Sequence, residues 1–85
     1  MSNVIVVNAT GFPAEWTMLY NGQQTKVNIA DATEFLASYA QMNNVEQIKI
    51  IGATKGYGEE MAQAICAVAR TKYDYNNLEV EVLSR

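Results

Sequence analysis

The sequence predicts one α/β domain built on a mixed five-stranded sheet, with elements in the order β-β-β-α-β-α-β. Three observations carry this. The run Val4-Ile5-Val6-Val7 is β-branched throughout and passes into Asn8-Ala9-Thr10-Gly11, which reads as a buried strand ending in a tight loop. Asn21-Gly22 separates two strand-like runs, the strongest short-range hairpin signal, because both residues tolerate positive φ. Two stretches of helical period are each followed by a short run of strand character.

In chain order, the first strand spans Val4 to Asn8, and continuous apolarity predicts burial on both of its faces. Thr10-Gly11-Phe12-Pro13 turns the chain, and Pro13 cannot donate to a ladder, so pairing resumes after it. The second strand is Glu15 to Tyr20, with Trp16, Met18 and Tyr20 on one face and Thr17 and Leu19 on the other. The third is Gln23 to Ile29, with Thr25, Val27 and Ile29 opposite Lys26 and Asn28. The first helix is expected to start at Asp31, a cap with Glu34 three residues on, and to bury Phe35, Leu36, Tyr39 and Met42 before Asn43-Asn44 ends it. The fourth strand is Gln47 to Ile51. A glycine loop, Gly52 to Gly58, leads into a second helix from Tyr57 or Gly58 to Lys72, with Met61, Ile65, Val68 and Ala69 inward and Ala62, Ala64 and Ala67 permitting close packing. After the turn Asp74-Tyr75-Asn76-Asn77, the strict alternation Leu78-Glu79-Val80-Glu81-Val82 reads as an edge strand with one wet face.

Composition narrows the function classes. The chain has 85 residues, 49% apolar and 18% charged, with a net charge of −3. One domain of this size buries only roughly 60% of its unfolded surface, so its core is thin. The six basic residues, Lys26, Lys49, Lys55, Arg70, Lys72 and Arg85, are scattered, which argues against a dedicated nucleic-acid binder. There is no histidine, so His-based triads, Cys-His dyads and imidazole metal sites are excluded. Neither a metal nor a cofactor is expected. The single cysteine, Cys66, fits a reducing compartment and reads as a small buried residue in an alanine-rich helix. No apolar run approaches the roughly 18 residues of a membrane span, and the N-terminus lacks a signal-peptide pattern. The expectation is a cytoplasmic protein that does not engage membranes.

Placing the first strand centrally gives the spatial order 3-2-1-4-5. This order, and the passage from Val4 to Gly11 into the hairpin, resemble the core of the ribonuclease H-like superfamily, which includes Holliday-junction resolvases and the half-domains of actin-like ATPases. The resemblance implies that fold over nearly the whole chain. It also implies an acid at the end of the first strand, where Asn8 stands, and another at the end of the fourth, where Ile51-Gly52 stands. A further acid of the nucleases comes from a helix beyond the fifth strand, and this sequence ends at Arg85. Two-metal phosphodiester cleavage requires several converging carboxylates. The expectation is therefore a relative of that fold without enzymatic activity.

Both crossovers step the same way along the sheet, so right-handed connections place both helices on one face. The other face then carries Thr17, Leu19, Lys26, Asn28, Lys49, Ile51, Glu79 and Glu81, plus two residues of the first strand. An apolar centre with charged flanks is a common form of interaction site, although a half-polar sheet face is also stable when simply solvated. A homodimer is the simplest occupant, since twofold oligomers dominate. The functional expectation is a small accessory adaptor or inhibitor, of the size that phages and mobile elements carry, acting by protein binding. The alternative is a nucleotide- or nucleic-acid-binding module formed by Asn8, Thr10, Lys55, Gly56 and Tyr57 at the carboxyl ends of the first and fourth strands. There loop backbone N–H groups and Lys55 attract anions, and Phe12 and Tyr57 can stack on a base. The glycine loop lacks the Lys-Ser/Thr pair of the phosphate loop, and three glycines before a helix are more often plain turn chemistry. The neighbouring Glu59-Glu60 are expected in the first turn of the second helix, where they suit its dipole.

Overall fold

A computed structural model describes residues 3–10, 16–27 and 32–83, with the Lys55 side chain outside the described set. The elements are β1 (Val4–Asn8), β2 (Thr17–Tyr20), β3 (Gln23–Lys26), α1 (Ala32–Met42), β4 (Gln47–Ile51), α2 (Lys55–Lys72) and β5 (Glu79–Leu83). The sheet order is β3-β2-β1-β4-β5. The β1–β2–β3 meander is antiparallel, and β1, β4 and β5 run parallel. Asn21 and Gly22 take φ of 55° and 81°, the left-handed pair that a tight two-residue hairpin requires. The roles expected of Phe12, Pro13, Glu15, Asn28, Ile29 and Asp31 fall outside the described residues.

Registration assigns every strand residue to a face. Ile5, Val7, Met18, Ile48 and Ile50 are buried beneath the helices in one cluster with Leu36, Ala37 and Ala40 of α1 and Met61, Ile65 and Ala69 of α2. Both helices therefore lie on one side of the sheet. At α1, Tyr39 meets Tyr20 edge to face with ring centroids 5.7 Å apart, closing the hairpin end of the core. At α2, a Cβ added to Gly58 would come within 2.6 Å of Val82 Cγ1, so helix and edge strand approach each other closely there. Lys72 donates to Glu34 and bridges α2 to α1; Lys72 holds the Glu34 carboxyl below the usual carboxylate range.

Several sequence expectations are corrected. Val4 and Val6 are only half-buried, so β1 is enclosed on one face and not two: no layer of the described residues covers the other. Met42 is 73% exposed, because the buried stripe of α1 runs through Ala32, Leu36, Ala37 and Ala40, and Met42 falls more than a quarter-turn off that line. The helix uses small residues to approach the sheet and leaves its last large one in solvent. α2 begins at Lys55, earlier than expected, which moves Glu59-Glu60 into its second turn; no acid occupies the first. β5 is shifted by one residue, so Leu78 is buried ahead of the strand and Leu83 joins it.

Long-range bonds hold the loop after α2; the Tyr73 hydroxyl donates to Glu34 at 3.4 Å. The Tyr75 hydroxyl donates to the carbonyl of buried Val45 at 2.5 Å. Burial raises the Tyr75 phenol above its usual range, with a smaller contribution from the Glu46 carboxylate. A raised folded value favours the protonated phenol in the native state. This contribution is therefore complete below the ordinary phenolic value of about 10 and is lost as pH rises through the folded one. Tyr75→Phe is expected to lower stability at neutral pH by about 1–3 kcal/mol, since it strands a buried carbonyl. It should also flatten the alkaline fall in stability, and urea melts of both proteins from pH 8 to 11 check both effects.

Candidate functional site

The face of the sheet opposite the helices is uncovered by any described residue. Its rows follow from the register. Gln24, Leu19, Val6, Lys49 and Glu81 form one row, and Lys26, Thr17, Asn8, Ile51 and Leu83 the next. Val4, Gln47 and Glu79 begin a third. Val4, Val6 and Ile51 are half-buried by their neighbours alone, whereas Leu19 is 48% and Leu83 41% exposed. These five apolar side chains are flanked by Lys26 towards one edge and by Glu79 and Glu81 at the other, all three exposed. The structure thus brings together Thr17, Leu19, Lys26, Lys49, Ile51, Glu79 and Glu81, as expected from alternation. It also adds Val4, Val6 and Leu83 as the apolar centre and edge. Leu83 was hidden because the alternation of β5 was ended one residue early.

The second set of candidate residues surrounds the carboxyl ends of β1 and β4. The two ends are tied together: the Ala9 N–H donates to the Ile51 carbonyl at 2.8 Å. Asn8 Oδ1 accepts the Thr10 N–H at 3.0 Å, which closes the loop on itself. Asn8 is therefore engaged as a loop former. Gly52 has a φ of 87°, and an added Cβ would lie 2.2 Å from Thr10 Oγ1. Lys55, Gly56 and Tyr57 form the first turn of α2. Tyr57 is 45% exposed, and its ring lies 5.7 Å from that of Trp16, itself only 2% exposed. Trp16 Nε1 is buried with no hydrogen-bond partner among the described residues, a feature no sequence pattern signals. Trp16→Phe removes the indole N–H together with some ring packing, and a net change of about 1 kcal/mol or less is expected in urea unfolding.

Among the described residues, no three acidic or cysteine side chains come together in a metal-holding group. Cys66 is half-buried and directs its thiol at the Leu78 carbonyl, 3.7 Å away. An open groove of about 470 Å³ runs between α2 and the β5 edge, over Ala62, Cys66, Ala67 and Val80, with Gln63 and Arg70 beside them. Its helix wall is the i, i+4 series Ala62, Cys66, Arg70, legible in the sequence as a stripe but not as a groove. No described helix is long and apolar enough to cross a membrane.

Neither the protein-family models, nor the curated proteins, nor the solved structures provide a match to this chain.

Proposed function

We propose that this chain is a small, non-catalytic protein-interaction module, an accessory adaptor or inhibitor on a ribonuclease H-like scaffold, whose working surface is the open sheet face. One observation carries the proposal: Val4, Val6, Leu19, Ile51 and Leu83 share a face that nothing described in the chain covers. Apolar patches rimmed by polar residues are characteristic of association surfaces. The helices spend the rest of the apolar surface on the other side. The neutral ends of β1 and β4, Asn8 and Gly52, support the absence of phosphodiester chemistry.

Sedimentation velocity over a concentration series tests this. The wild-type protein is expected to associate. Leu19→Asp and Ile51→Asp should abolish association, while Met42→Asp, on the exposed end of α1, should leave it unchanged. Association that survives both face substitutions would refute the assignment of this surface.

A second reading is a nucleotide- or nucleic-acid-binding module at Asn8, Thr10, Lys55, Gly56 and Tyr57. It is favoured by the Trp16 N–H, which has no partner among the described residues and lies near Tyr57 at the start of α2. ATP titration followed at the Gly56 and Gly58 amides distinguishes it: shifts at millimolar ATP support it, and unmoved signals end it.

A further inference from the structure

We infer that the occupant of the open face is a second copy of this chain, related by a twofold axis parallel to the strands, so that β3 of each copy lies over β5 of the other. This rests on the proposal that the open face is the working surface, and deepens it by naming the partner and its orientation.

The charge distribution on the face carries the inference. Lys26 stands on the β3 edge, and neither β2 nor β3 contains an acid. It has no ion-pair partner among the described residues. At the far edge, β5 presents Glu79 and Glu81 from the same face. Lys49 on β4 lies in register with Glu81 and offsets one of these two acids within the chain. The face therefore has a positive edge and a negative edge, separated by the apolar strip.

Two sheets that pack face to face with aligned strands lie about 10 Å apart. A twofold between them has two aligned choices. With the axis perpendicular to the strands, β5 lies over β5 and β3 over β3. Four glutamates then meet at one end and two copies of Lys26 at the other, and like charges juxtaposed across an interface are costly. With the axis parallel to the strands, the rows keep their level and the strand order reverses. Gln24 then faces Glu81 of the other copy, and Lys26 faces Leu83 with Glu81 one row away, about 7 Å along the strand and within reach of two long side chains. Lys49 lies over Leu19, which can pack on its aliphatic stem. Val6 meets its own copy at the axis.

The footprint is five strands about 4.8 Å apart by roughly four residues of about 3.3 Å rise. That lies below the size of a standard specific interface and in the weak, transient class. The dimer is accordingly expected to be reversible and concentration-dependent.

Charge exchange tests the orientation. Sedimentation equilibrium is run on the wild type, on Lys26→Glu, on Glu79→Lys with Glu81→Lys, and on the triple variant, with circular dichroism confirming that each is folded. The first two variants are expected to weaken the dimer about tenfold or more, and the triple variant to recover most of that loss. If Lys26→Glu leaves the dimer unchanged while Leu19→Asp abolishes it, the orientation is wrong and the surface stands. If the dimer survives Leu19→Asp as well, the surface itself is wrong. A wild type that stays monomeric at millimolar concentration overturns the second-copy proposal.

Discussion

Ile50→Asp is expected to unfold the protein, and Ile51→Asp to leave it folded, although the two residues are adjacent in the chain. Ile50 is fully buried beneath the helices, in register with Val7 on one side and Val82 on the other. Removing a buried isoleucine side chain alone costs about 2–5 kcal/mol. A carboxylate in its place must in addition be desolvated or protonated. A domain of this size has a total stability of about 4–13 kcal/mol, so little or nothing remains. Ile51 points the opposite way, into the open face, where an aspartate keeps its water. Its cost is limited to lost cross-strand packing and poor strand propensity, about 1 kcal/mol. Far-UV circular dichroism with urea titration checks the pair: Ile50→Asp should lack a cooperative transition, and Ile51→Asp should keep one near the wild-type midpoint. The same Ile51→Asp protein should fail to associate, which separates the two faces by function as well as by stability.

Gly52→Ala is the second large effect, at about 3 kcal/mol of destabilisation. Two causes act together. A φ of 87° is strained for any residue with a Cβ, which costs about 1–2 kcal/mol. The new Cβ also meets Thr10 Oγ1 at 2.2 Å, and the Thr10 backbone nitrogen at 3.0 Å and Cα at 3.2 Å stand behind it. Adding Thr10→Ala should therefore return only part of the loss, because it removes the hydroxyl and leaves the backbone contact and the strain. Thr10→Ala alone should change little. Urea melts of the three variants give the numbers, and full recovery in the double variant would show that the hydroxyl clash alone was responsible. Gly52 thus does structural work in joining the ends of β1 and β4, whatever else that end of the sheet binds.

The sheet was legible because its signals are local. Asn21-Gly22 sets the hairpin by backbone conformation, and alternation in Met18-Leu19-Tyr20 and in Glu79-Val80-Glu81-Val82 assigns faces with no knowledge of the partner strand. The same-face set Thr17, Leu19, Lys49, Ile51 and Glu81 followed from parity alone. What was not legible depends on packing. Met42 matches a helical apolar period, but which stripe of α1 faces the sheet is decided by how closely the alanines let the helix approach. The start of α2 was placed two or three residues late because Gly56 and Gly58 look like loop residues. Gly58 is instead the point where α2 must come close to Val82. β1 reads as doubly buried because Val4 and Val6 are as apolar as Ile5 and Val7, and composition cannot report which face the described residues leave open. That mismatch between an apolar strand and an uncovered face is itself the reason to assign the face a partner.

The most direct test is a measurement of solvent access at the open face. Methyl groups of Val4, Val6, Leu19, Ile51 and Leu83 can be followed by NMR while an inert paramagnetic chelate is added to dilute and to millimolar protein. Met42 serves as the exposed reference and Ile50 as the buried one. The open-face methyls should fall between Met42 and Ile50 in dilute solution and approach Ile50 as the dimer fills. Methyls on that face whose accessibility stays at its dilute value at every concentration would contradict the claim that a second copy covers it.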